Sequence, residues 1–100
     1  MYRGDTMTSI KSVVLKTGIT SVAIPDGAEI VDVGFDPAYG APAIYFIKPG
    51  NLPEAPFVKR TFLVVTTYEI FENKFEVVYL GSDVNFESQM RLHFMEIING

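Results

Sequence analysis

Val58-Lys59-Arg60-Thr61-Phe62-Leu63-Val64-Val65-Thr66-Thr67-Tyr68-Glu69-Ile70-Phe71 is the longest run rich in β-branched and aromatic residues in the chain. Such side chains are stiff at χ1 and pack well on a pleated surface, so the run reads as a strand. Phe62, Val64, Thr66 and Tyr68 fall on one side of a two-residue period, with Leu63, Val65, Thr67 and Glu69 on the other. A strand of that length is expected to bend. At its end, Glu72-Asn73-Lys74 between Phe71 and Phe75 is expected to close a hairpin, with Asn73 in the left-handed region.

The same signal recurs on both sides. Upstream, Ser12 to Lys16 and Thr20 to Ile24 read as short strands broken at Thr17-Gly18, and Pro25-Asp26-Gly27 supplies a turn. Ile30 to Phe35 alternates, placing Val31, Val33 and Phe35 opposite Ile30, Asp32 and Gly34. Asp36 to Pro42 reads as a loop or wide hairpin connection, and Ala43 to Lys48 as the next strand. Pro49 to Pro56, with three prolines and Gly50, excludes a helix interior or a central strand and is expected to be the longest surface loop. Downstream, Phe75 to Leu80 is a strand, Gly81-Ser82-Asp83 a turn and Gln89 to Ile98 the last strand. Met90, Phe94 and Ile97 also fit a helical spacing, but Leu92, Phe94 and Glu96 alternate with Arg91, His93 and Met95, which favours a strand.

The expected fold is therefore all-β: a small antiparallel barrel or sandwich of about six or seven sequentially connected strands. Its 100 residues leave room for one core, so residues 10–100 are read as a single β domain and residues 1–9 as a flexible N-terminal leader. Ala43-Ile44-Tyr45-Phe46-Ile47 and Phe62-Leu63-Val64-Val65 are apolar on both faces, whereas the outer face of a small antiparallel sheet normally reads polar. Something must cover the second face. Either the sheet curls into a closed barrel or sandwich with a loop across its exposed side, or another copy covers it; the reading is a self-associating chain, a two-fold homodimer, with Ile44, Tyr45, Phe46, Ile47, Tyr68 and Tyr79 as candidate interface residues.

Composition narrows the chemistry. With no cysteine, disulfides and thiolate sites are excluded, and a reducing, cytoplasmic setting fits. No apolar run approaches the length of a membrane-spanning helix, and residues 1–9 lack the pattern of a secretory signal, so no membrane partner is expected. The net charge is −4 with eight scattered basic residues, which disfavours nucleic acid as a partner. Lys59-Arg60, the one adjacent basic pair, is expected at a solvated strand end.

No catalytic residue, cofactor site or metal site is assigned. His93 is the sole histidine; Glu96 and Ser88 are available as an orienting carboxylate and a nucleophile, but its apolar neighbours favour a structural imidazole. Asp26, Glu29, Asp32 and Asp36 follow no calcium-loop pattern and read as solvated carboxylates. Arg3-Gly4-Asp5 is taken as a chance tripeptide in the leader. Tyr45, Phe46, Tyr68, Phe71, Phe75 and Tyr79 offer stacking surfaces for a nucleotide, yet no basic residues interleave them, so core or interface roles are favoured.

The segments Ile24-Pro25-Asp26-Gly27-Ala28-Glu29-Ile30-Val31-Asp32-Val33, Ala43 to Ile47, Lys59 to Val64, Tyr79-Leu80-Gly81-Ser82 and Leu92-His93-Phe94-Met95-Glu96 resemble a family of small phage-encoded proteins of unknown function. The resemblance spans roughly residues 13 to 96. The chain departs from it at Val65-Thr66-Thr67-Tyr68, where that family carries Gly-Thr-Gly, and it has no tryptophan. The resemblance implies no activity. It does imply a phage accessory protein in the host cytoplasm, and with it the expected function: non-enzymatic contacts with a host or defence protein. The second reading is a small-ligand domain that binds or sequesters nucleotides.

Overall fold

The computed structural model describes residues 9–48, 56–72 and 74–99. The proposed leader and the Pro49–Pro56 loop therefore lie outside the described residues, apart from Ser9 and Pro56. Asn73, the proposed hairpin residue, lies outside them too. The described chain is all-β, with seven strands: β1 (Ile10–Val14), β2 (Gly18–Pro25), β3 (Glu29–Asp36), β4 (Ala41–Ile47), β5 (Phe57–Thr66), β6 (Glu76–Val84) and β7 (Arg91–Asn99). Two antiparallel sheets, ordered β1-β4-β3 and β2-β5-β7-β6, stack as a sandwich.

That order corrects the expected sequential connection. Only β3–β4 and β6–β7 are hairpins; β1 reaches across to β4 and β2 to β5. The Pro25-Asp26-Gly27 turn closes with Ala28 N–H donating to Pro25 O at 3.0 Å, and it carries the chain from one sheet to the other. Asp36 closes the β3–β4 hairpin by accepting from Gly40 N–H on its carbonyl and from Ala38 N–H on its carboxylate.

Two other local expectations fail for a physical reason. The β5 strand stops at Thr66 because the Glu69 carboxylate accepts from both Thr66 N–H (2.9 Å) and Thr66 Oγ1 (3.2 Å), a turn that side-chain bonding favours over a ladder. The expected Phe71/Phe75 hairpin is thus absent: β6 pairs with β7, not with β5. Gly81-Ser82-Asp83 is not a turn either. Gly81, at φ +150°, sits at a bulge inside β6, and the reversal comes at Asn85–Met90 instead, capped by the Asn85 side chain. A further bulge between Ile30 and Asp32 brings Ile30 to the core side with Val33 and Phe35, where strict alternation had put Val31.

The two-residue period then sorts β5 and β7 onto opposite faces. Phe62, Val64, Leu92 and Phe94 join Leu15, Val33, Phe35 and Ile44 between the sheets. Leu63, Val65 and Met95 form a separate buried cluster on the outer side of the four-stranded sheet. Ile24, Ala28 and Phe46 complete the interior at the end bearing the Pro25–Ala28 turn.

At that end a charged pair within the four-stranded sheet also reaches the Pro25–Ala28 turn. Arg60 Nε and Nη2 each donate to Glu96 at 2.7 Å, while Nη1 donates to Ala28 O at 2.6 Å. Arg60 is therefore no solvated strand end, in contrast to the expectation. Its guanidinium is held above its ordinary range, chiefly by the bond to Glu96 and against the opposing cost of burial. Bonds of this charge-assisted kind contribute about 1.5–3 kcal/mol each when the groups are largely withdrawn from water.

Along the other side, edge strands β3 and β6 approach without forming a ladder. Asp83 Oδ2 accepts from Phe35 N–H at 2.8 Å, and Oδ1 accepts from Val84 N–H at 2.8 Å. The fit is close: a Cβ on Gly34 would stand 3.0 Å from Asp83 Oδ2, and one on Gly81 would stand 3.0 Å from Val33 Cγ2. One carboxylate thus stands in for main-chain pairing at the seam.

Candidate functional site: the outer face of the four-stranded sheet

Strand register assembles this face from residues far apart in sequence. One row crosses all four strands as Ile19, Leu63, Met95 and Tyr79; the next runs Ser21, Thr61, Ile97 and Val77. Val65, His93 and Ser82 form a third row. Charges that share this side sit at its ends and include Lys59, opposite Ala23, Glu76, opposite Asn99, and Arg91, whose Nη1 donates to Ser82 Oγ. Leu63, Val65 and Met95 are buried in the centre, while Ile19 and Tyr79 stand more than half exposed.

His93 lies in the first half of β7, on this surface. Its Nδ1 is 2.7 Å from the Tyr79 hydroxyl and its Nε2 is 2.7 Å from the Thr67 hydroxyl. A neutral imidazole offers one donor and one acceptor, so both ring nitrogens are matched by hydroxyls that can play either part. The rings of Tyr79 and His93 pack with centroids 5.9 Å apart. The carboxylate and nucleophile considered for His93 in the sequence are not assembled. Glu96 alternates to the inner face and is bound by Arg60; Ser88 sits in the Asn85–Met90 turn, where its hydroxyl accepts from Met90 N–H.

Beyond Thr67 the chain makes an apolar tip. Glu69 N–H donates to Thr66 O at 3.0 Å, and Tyr68 takes φ +72°, a left-handed conformation uncommon for an aromatic residue. Tyr68 and Ile70 are 98% and 96% exposed, values at which each presents essentially its whole side chain to solvent.

The expected interface residues separate into three groups. Ile44 and Phe46 are interior, which corrects their assignment to a contact surface, because β4 turns them into the core between the sheets. Tyr45 and Ile47 share the outer face of the three-stranded sheet, with Ile47 buried and Tyr45 half-buried. Tyr68 and Tyr79 are exposed at the tip and on the four-stranded face. Ile19 and Ile70 were not singled out in the sequence. Ile19 owes its place to pairing with Leu63, which no local pattern announces, and Ile70 was absorbed into the long strand signal.

Tyr45 also bears on the nucleotide reading. Burial, then the charges of Asp36, Asp32 and Asp83, hold its hydroxyl above the usual tyrosine range. Three carboxylates around a stacking ring repel a phosphate. Among the described residues no three acidic or histidine side chains converge to hold a metal ion, and no helix is long and apolar enough to cross a membrane. Compared with protein-family models, curated proteins and solved structures, the chain matches none.

Proposed function

We propose that this domain is a non-enzymatic protein-binding module, a phage accessory protein that contacts a host or defence protein through the outer face of its four-stranded sheet and the Tyr68–Ile70 tip. The observation carrying this reading is the exposed apolar set Ile19, Tyr79, Tyr68 and Ile70, which flanks a charge-free row whose centre, Leu63 and Met95, is buried. An outward face of an antiparallel sheet ordinarily alternates to polar residues, and contiguous apolar surface marks contact sites. Exposed aromatic anchors such as Tyr68 and Tyr79 suit such a contact, since tyrosine contributes large area at low entropic cost. The resemblance to phage-encoded proteins directs the search to bacterial host proteins.

The test is affinity capture from bacterial lysate with wild type, Ile19→Glu, Tyr68→Ser and Asp32→Ala side by side. A partner retained by wild type and Asp32→Ala but lost from the first two variants supports the assignment. Equal recovery by all four, or stabilisation of the chain by nucleotides in a thermal-shift screen, would sink it.

A further inference from the structure

We propose that two copies of this chain join edge to edge through β6, independently of what docks on the sheet face. β6 ends the four-stranded order, and its side away from β7 has no strand neighbour among the described residues. The strand is not uniform. From Gly81 to Val84 it lies against β3, with Asp83 bonded to Phe35 N–H. Leu80 still packs against the core between the sheets, whereas Val77, Val78 and Tyr79 stand exposed.

In this uncovered half, Val77 and Tyr79 face outward and Val78 faces the inner side, yet all three are exposed, Val78 at 46%. Ile98 beside them is exposed as well. An edge that is apolar on both faces is a template for strand addition, and natural edges are blunted with lysine, proline or an inward charge. Val77-Val78-Tyr79-Leu80 has none of these. Bulges after Glu76 and after Tyr79 confine any added ladder to this short segment.

The segment's own pattern selects a second copy as its occupant. Paired antiparallel about Val78, two copies place Val78 against Val78 and Val77 against Tyr79 twice. No like charges then oppose each other, and the aromatic and β-branched partners are of the kind that stabilises cross-strand pairs. A two-fold axis uses each edge once, so the assembly closes at two. The result is a continuous eight-stranded sheet whose two outer faces meet at Tyr79.

Because the chain has no cysteine, a single Val78→Cys substitution can bridge only to its symmetry mate. Directly opposed Cβ atoms lie within disulfide reach, so a covalent dimer should form under mild oxidation at least about tenfold faster than from Ile19→Cys, a comparably exposed control. Light scattering over a dilution series should give a dimeric wild type and a monomeric Val78→Lys that stays folded, with a thermal midpoint no longer dependent on concentration. Equal cross-linking of the two cysteine variants, or a Val78→Lys that stays dimeric, overturns the edge contact in favour of the face. A wild type monomeric at every concentration leaves the edge to a foreign strand and overturns self-pairing.

Discussion

The two outward faces of the sandwich are built from strands of similar length, yet they meet solvent differently. On the three-stranded sheet, Ser12, Tyr45 and Asp32 share a row, and Asp36 and Asp83 gather round the Tyr45 hydroxyl. On the four-stranded sheet the corresponding row is Ile19, Leu63, Met95 and Tyr79. The first is how an antiparallel sheet ordinarily faces water. The second is apolar throughout, buried at Leu63 and Met95 and exposed at Ile19 and Tyr79.

The contrast can be broken by placing a charge where only one face should tolerate it. Val65→Asp puts an unpaired carboxylate at a 4% exposed position on the four-stranded face and should cost more than about 3 kcal/mol, read by denaturant unfolding. A loss below about 1 kcal/mol would mean that the face is wetter than its burial implies.

Asp83→Ala comes next. It leaves Phe35 N–H and Val84 N–H without their carboxylate acceptor, and the expected loss is about 1–3 kcal/mol, with faster amide exchange at Phe35 than at Val33. Unchanged exchange at Phe35 would show that the seam is held by packing alone.

Tyr45→Phe sharpens the acidic side through pH. The Tyr45 pKa is raised, so folding favours its protonated form; that contribution is complete below the ordinary value near 10 and is lost as pH climbs through the raised one. Wild type should therefore lose stability above about pH 10 more steeply than Tyr45→Phe, with the two within about 1 kcal/mol at pH 7. Parallel pH profiles would remove the burial and the carboxylates as its cause.

Ile19→Ser should have the smallest effect on folding. Ile19 is 53% exposed on the edge strand, and a change within about 0.5 kcal/mol is expected. A drop comparable to Val65→Asp would mean that Ile19 belongs to the fold rather than to a contact surface.

How far the sequence reads depends on whether the deciding interaction is local. The alternation of Leu92, Phe94 and Glu96 against His93 and Met95 is local, and it set β7 correctly against a helix. The apolar side chains on both faces of β4 and β5 were legible for the same reason. By contrast, the Glu69 carboxylate closing on Thr66, the last residue of β5, is a side-chain turn that a two-residue period does not display. The bulge at Gly81 looks in sequence like a turn. The bond from Arg60 to Glu96 spans 36 residues, and the row from Ile19 to Tyr79 needs three strand pairings to exist.

The crossing of β2 to β5 also sets the order in which the chain can acquire its structure. Gly18 pairs with Val64 and Pro25 with Phe57, so the partners lie between 46 and 32 residues apart, as those numbers differ. The β3–β4 and β6–β7 hairpins are closed by short loops and can form in about 1–10 μs. The larger sheet must wait for long loops to close, which places complete folding nearer the millisecond-to-second range typical of non-local β topologies. During synthesis the delay is longer still, because β5 is flanked by β2, made well before it, and by β7, the last of the described strands to emerge. Until Arg91–Asn99 leaves the ribosome, Phe62-Leu63-Val64-Val65 has one edge open and neither apolar face finished, and that nascent strand is where a chaperone would bind.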